Sequence, residues 1–528
     1  MSSEYQAYAA PKTHGDAVIE PSIERASEMM SASRSRGDED PSWLRQLRSE
    51  ARASLVRNAR HYTSAYRDVS FADMADESTP MWMAGHQPTL FHAGVWFKNF
   101  ALSRLAKLHG GLGINLVIDN DVASGVSVRS PTIDLRTGRW TTTTVAYDRA
   151  GGGVPYEQTA ITDRAMFASF PERLQRTLIG VVEDPSAMDL WPHAMAAIDR
   201  CDIAACALAQ ARHGLEADLG LQTLEIPMGV VARDVSFLRF VVEVMADLPR
   251  FVDAYNRNTA GYRAAHGIRS SAHPVPDLAI DGDCYEMPLW VYGNSSPVRR
   301  PVWACRDGDR WTVGDRDQVE LTLDLGDRDA AAQQWADAQS SEIKFRPRAL
   351  LTTMYARMVL SDVFLHGIGG GKYDQLGDRI AEDFFQLRPP EFMVMSATVT
   401  LPPTDEGSES DRDLDAQRSS LVDARRATMF SPERFAEELP EESRSLIERK
   451  ARLLDDVPPR GQRRAWHDEI TALNRQMASH LDGRRRELDA AMATLQDRIG
   501  RRRLLGSREH PFCVLPLNRM TDAFSRML

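Results

Sequence analysis

Residues 80–121 read as one strand–helix–strand unit, and such a unit leaves a chain few folds to choose from. Met81-Trp82-Met83-Ala84 is short, apolar and strand-like, and Gly85-His86-Gln87-Pro88-Thr89 is a polar turn. Val95 to His109 has the spacing of an amphipathic helix, stopped by Gly110-Gly111. Leu112 to Ile118 is a second apolar strand, ending in Asp119-Asn120-Asp121. Strands joined through a helix run parallel, and parallel sheets take ligands beyond their carboxyl ends. Both polar clusters fall at such ends. His86 and His92 are therefore candidate proton carriers or anion ligands. The competing reading is that His86 and Gln87 only satisfy backbone groups of the loop.

A second stretch, Phe345 to Leu376, begins with Arg346-Pro347-Arg348 and continues as a helix-compatible run. It ends in Gly367-Ile368-Gly369-Gly370-Gly371, followed by Lys372, Tyr373, Asp374 and Gln375. So much glycine permits backbone conformations closed to other residues. If a helix begins at Lys372, its free N–H groups and a lysine converge on one spot suited to a phosphate or carboxylate. A tight helix-to-helix connection is the alternative. The run is not a Walker A loop, because the spacing differs and no Ser or Thr follows the lysine.

A chain of 528 residues is long enough for two to four domains and a large core. The net charge of −11 argues against a dedicated nucleic-acid binder. The five cysteines, Cys201, Cys206, Cys284, Cys305 and Cys513, show no zinc-site spacing, which predicts reduced thiols in a cytosol and no metal. No basic-then-apolar leader opens the chain and no apolar run approaches the ~18 residues of a membrane span. A cytoplasmic protein with no membrane partner is expected.

In chain order, residues 1–40 read as a flexible arm and 41–66 as a helix. Residues 127–147 alternate as a β-hairpin, and Ile226 to Val231 reads as another strand. A β-rich insert spans about 275–325, with Trp290, Trp303 and Trp311 expected to pack in it. Glu391 to Thr398 is a further strand, closing a core of 41–401. Residues 402–415 form an acidic linker. Residues 416–505 read as a helical hairpin, interrupted at Pro458-Pro459-Arg460-Gly461. Apolar residues from Trp466 to Ile499 keep heptad spacing there. Residues 506–528 read as a return segment docking on the core.

This order resembles the bacillithiol-synthase family, the cysteine-adding ligases. Gly85-His86-Gln87 with Lys98 stands where the family has a Gly-Gln-Gln-type turn and a Lys-bearing helix. Asp119-Asn120-Asp121 stands for its acidic cluster. Phe345-Arg346-Pro347 leading to Gly369-Gly370-Gly371-Lys372-Tyr373-Asp374-Gln375 stands for its Leu-Arg-Pro segment and glycine-rich turn. The departures are His86 for a Gln, an acidic cluster without its His, and Lys372-Tyr373-Asp374 in place of a Glu-containing turn.

The resemblance implies an α/β fold: a Rossmann-like parallel-sheet core, a small β-rich insert, and a C-terminal antiparallel coiled coil that pairs a homodimer. It implies amide formation between a cysteine-like amino acid and an amine-bearing small molecule, in thiol biosynthesis, with ATP or ADP as the cofactor to be tested. On that reading His86 is a general base or anion contact, Gln87 and Asn120 orient substrate, and Asp119 and Asp121 hold an ammonium group. Lys372 with Gly369, Gly370 and Gly371 binds a phosphate or carboxylate, flanked by Tyr373, Asp374 and Gln375. Arg346 and Arg348 neutralise a second anion; His92 and Lys98 complete the anion-binding set. Two other classes stay open: a class I-type nucleotidyl transferase, and a non-catalytic scaffold acting through its helices.

Overall fold

The computed structural model describes residues 5–149, 151–308, 310–401 and 411–528. The chain is mixed α/β and divides into two compact units. One holds residues 1–130, 143–400 and 508–528; the other holds 131–142 and 401–507.

The first unit is built on β1 (Ala17–Glu20), α1 (Ala26–Glu39), α2 (Ser42–Ser64), β2 (Met81–His86), α3 (Ala93–Leu108), β3 (Leu112–Val117), β4 (Leu224–Pro227), β5 (Val363–His366), α4 (Ile368–Phe385) and β6 (Phe392–Ala397). The strands lie in the order β1-β6-β5-β2-β3-β4. All neighbours are parallel except β1, which runs antiparallel along β6. The strand–helix–strand expectation for residues 80–121 is met. Met81 to Ala84 are wholly buried, as the interior of a sheet covered on both faces requires. Trp82 and Trp96 are also fully buried, and each such side chain contributes about 1.5–3 kcal/mol on leaving water. Glycine lets α3 approach β6 closely, because a Cβ at Gly94 would overlap the Ala397 carbonyl.

Three expectations change. The segment 1–40 is not a loose arm throughout: Val18 and Ile19 pair with Ser396 and Met395 on the free edge of β6, and α1 buries Met29 and Met30. Residues 1–4 lie outside the described residues. The strand expected at 226–231 ends at Pro227, which has no N–H to continue a ladder. Met228–Val231 is then a single helical turn, whose Gly229 N–H donates to Asp119 Oδ1 at 2.9 Å. Finally, Cys284 and Cys305 form a disulfide rather than staying reduced. They sit opposite each other on adjacent antiparallel strands, a register that their spacing in the chain does not signal.

The insert is an antiparallel sheet of Glu320–Asp324, Arg310–Gly314, Arg300–Asp307, Cys284–Tyr292 and Lys344–Pro347, in that order. It is larger than the expected 275–325, because the strand bearing Arg346 returns to its edge. One apolar core serves both sheets, with Met83 and Ile114 from the first and Leu289 and Phe345 from the second. The C-terminal return segment is buried in this unit: Phe512 packs 4.7 Å from Trp96, ring centre to ring centre.

The second unit is helical over Asp411–Phe430, Arg444–Asp455, Arg463–Ala478 and Asp482–Leu505. Two long arms joined at Pro458–Gly461 were expected; four α-helices are found among the described residues. The heptad run from Trp466 to Ile499 is broken by a 3₁₀ turn at Ser479–Leu481. Leu439, Leu473, Met477 and Leu481 form its core. Residues 402–410, most of the expected linker, lie outside the described residues. Among the described residues no helix is long and apolar enough to cross a membrane.

Candidate functional site

The carboxyl ends of β2, β3, β5 and β6 open onto a cavity of about 660 Å³, lined there by His86, Ile118, His366 and Ser396. Trp290 and Arg299 of the insert and Arg348, just past its edge strand, form another wall. This is where a parallel sheet is expected to hold a ligand.

The glycine-rich turn is not a loop ahead of a helix. Gly367 is the cap of α4, and Gly371 N–H already closes onto Gly367 O at 2.9 Å. Gly369, Gly370 and Gly371 are thus its first turn, with Gly369 and Gly370 against the cavity. Lys372, four residues inside α4, does not line the cavity. Neither do Gly371, Asp374 and Gln375, whereas Tyr373 does.

Lys98 is a buried cation of the cavity. It projects from α3, is 3% exposed, and donates to Gly85 O at 2.9 Å. No carboxylate lies at ion-pair distance from it among the described residues. Burial, reinforced by Arg212, pushes its ammonium down to about 8. Arg348 gives one nitrogen to Glu286 and stacks 3.8 Å from the centre of the Trp290 ring. Its Nε and Nη1 are buried without a hydrogen-bond partner. Buried donors of this kind are costly unless something accepts from them.

His86 lines the cavity. Its Nδ1 lies 3.2 Å from Gln87 O, and its Nε2 is buried without a hydrogen-bond partner. Burial, with Arg212 and Lys98 beside it, holds the imidazole well below its ordinary range, hence neutral. His92 caps α3, its Nδ1 accepting from Gly94 N–H at 3.1 Å. Asn120 donates to Pro347 O at 2.7 Å. Asp121 accepts from Gln87 Nε2 at 3.1 Å and Arg299 Nη1 at 3.2 Å, so its charge is already answered within the protein.

His366 was not singled out from the sequence. Its Nε2 lies 2.8 Å from Asp374 Oδ2, which fixes the proton on Nε2 and leaves Nδ1 as the acceptor. Burial works to raise the Asp374 carboxyl, but Arg357 and His366 hold it below the usual range. Burial outweighs Asp374 at His366, keeping the ring neutral and able to accept a proton. A Cβ at Gly370 would stand 2.8 Å from His366 Nδ1, so glycine there keeps that nitrogen clear. The signal was in the sequence: His366 ends an apolar strand-like run, the rule that picked His86. Arg299 and Ser396 carried no such signal.

No protein-family model and no curated protein matches this chain.

Asp119 and Arg346 belong to a different cavity, of about 220 Å³. Arg346 grips Glu157 with Nε at 2.8 Å and Nη2 at 3.1 Å, so it is not free to neutralise a substrate anion. Burial and the neighbouring Glu157, opposed by Arg346, push the Asp119 carboxyl up to about 7. Among the described residues no group of three or more His, Cys, Asp or Glu side chains is placed to hold a metal.

Proposed function

We propose that this protein is an amide-forming ligase of the cysteine-adding kind, working in the cavity at the carboxyl ends of β2, β3, β5 and β6. The observation that carries the reading is Lys98, a buried lysine with no acidic partner beside a histidine oriented by an aspartate. A carboxylate or phosphate of an amine-bearing substrate is the partner that Lys98 lacks. The first-turn N–H groups of α4 and the open donors of Arg348 add to the same attraction for negative charge.

On this reading, an amino acid whose carboxyl carries a phosphate-type leaving group meets the substrate amine in the cavity. The amine attacks the carbonyl carbon, His366 Nδ1 takes the amine proton, and the leaving group departs with its bonding pair. Nearby cations stabilise the oxyanion in between. The sheet is then the Rossmann-like core of such an enzyme. The helices of the second unit are read as its coiled-coil arm, pairing two copies.

The test is to incubate the purified protein with cysteine, a glucosamine–malate conjugate and ATP, and to follow amide mass. Binding of malate and of inorganic phosphate is measured alongside by calorimetry. Amide formation that Lys98→Met abolishes supports the reading. No amide from any amino acid and amine offered, with anion binding indifferent to Lys98→Met, overturns it. Pyrophosphate release without an amide product favours nucleotidyl transfer instead.

A further inference from the structure

Asp374 does not hold His366 alone. Its Oδ2 also accepts from Arg357 Nη1 at 2.6 Å, and that same nitrogen reaches Asp378 Oδ1 at 2.6 Å. Arg357 Nη2 ends on the Pro390 carbonyl, and its guanidinium lies 4.6 Å from the centre of the Phe392 ring. Phe392 in turn meets His366 edge-on, with ring centres 5.0 Å apart and planes at 88°. The side chains of His366, Asp374 and Arg357 are 5%, 2% and 3% exposed, while Asp378 is 29% exposed. This line of four groups starts at the proposed active cavity. It ends at another cavity of about 470 Å³, lined by Asp378, Pro390 and Phe392.

We propose that Arg357 and Asp378 are positioning residues for His366, so that the charge state of Asp378 in the second cavity is passed through Arg357 and Asp374 to the imidazole in the first. The proposal rests on reading His366 as the proton acceptor. One guanidinium nitrogen serves both carboxylates. With Asp378 charged, the pull of Arg357 is divided. With Asp378 neutral, that pull falls on Asp374 alone, and Asp374 has less negative charge to offer the ring N–H.

Burial, opposed by Arg357, brings the Asp378 carboxyl up to about 6, within reach of ordinary changes in pH. The charged groups facing His366 are Asp374 from α4, Arg357 from the turn before β5, and Lys98 from α3. Those facing Asp378 are Arg357, Asp374 and Glu382, with the Tyr8 phenol close by.

Ring ¹⁵N resonances of His366, assigned through His366→Gln, report both tautomer and titration midpoint in the full-length protein. Asp378→Asn keeps an oxygen for Arg357 and removes the charge; Asp378→Ser is read in parallel as a second folded variant. The expected result is a downward shift of the His366 midpoint by about half a pH unit, or a loss of the Nε2–H tautomer share. Asp374→Asn must produce a larger change. If Asp374→Asn moves the resonances and neither Asp378 variant does, the proposal is overturned. The readout needs no turnover: if His366→Ala still forms amide, the active-site reading falls while the relay stands.

Discussion

Asp119 and Asn120 are neighbours in the chain, yet they open onto different cavities. On the Asp119 side the buried charges are closed among themselves. Glu157 and Arg346 are paired through two hydrogen bonds, and Asp119 moves toward its neutral form. On the Asn120 side Asp121 and Arg299 are paired, but other cations are left open. Lys98 has no acid, and two nitrogens of Arg348 have no acceptor. Both clusters sit at the end of β3, where a parallel sheet holds ligands, so position alone does not separate them. What separates them is whether the protein supplies its own counter-charge. We read the paired cluster as holding the fold and the unpaired one as open to a ligand.

The comparison breaks hardest if the paired cluster is opened. Glu157→Ala leaves the fully buried Arg346 guanidinium without its partner, and the expected cost is about 3–5 kcal/mol of stability, read from urea unfolding. Lys98→Met behaves in the opposite sense. Turnover falls by about a hundredfold or more, while stability at pH 7 rises by roughly 1–3 kcal/mol, because an unmatched buried charge is gone. The pH dependence follows. Burial holds the Lys98 ammonium at about 8 in the folded protein, below the 10.5 of a free lysine. Between those values the unfolded chain binds more protons, so stability climbs as pH rises through that window. In Lys98→Met that climb is absent. A variant that loses stability at pH 7 and keeps turnover would show that the lysine is structural.

The parallel sheet was legible in residues 80–121 because apolar runs separated by an amphipathic helix admit few arrangements. The site was legible only in part. His86, Lys98, Asn120 and Arg348 were found by their places at strand ends and motif positions, and they do meet around one cavity. Asp119 and Arg346 were grouped with them because no linear pattern says which way adjacent side chains turn. Glu157, which claims Arg346, lies 189 residues from it in sequence. His366 was passed over beside a more conspicuous glycine run. The Cys284–Cys305 bond depends on a strand register, which length and spacing do not fix.

Gly370→Ala tests the open side more gently. The added methyl group crowds His366 Nδ1 from 2.8 Å, so turnover is expected to fall about tenfold. Stability should hold or rise by up to roughly 1 kcal/mol, since alanine suits a helix better than glycine. A parallel loss of both would mean that the methyl group disturbs α4 itself.

Lys372→Ala has the smallest expected effect and sharpens the comparison most cleanly. From sequence, Lys372 beside its glycines was the stronger anion-binding lysine, and Lys98 stood in its shadow. In the fold, α4 begins four residues earlier, at Ile368, and this carries Lys372 past the turn that faces the cavity. Lys98 projects from the first half of α3 into the cavity wall and is closed off from water. A partly exposed lysine keeps its hydration and gains little from a ligand several residues away, whereas a buried one gains the counter-ion that it lacks. Lys372→Ala should therefore leave turnover and phosphate binding within about twofold of the unaltered protein, a difference worth less than about 0.5 kcal/mol. If it instead matches Lys98→Met, the anion sits over α4 and not over α3, and the open side of the comparison has been drawn around the wrong lysine.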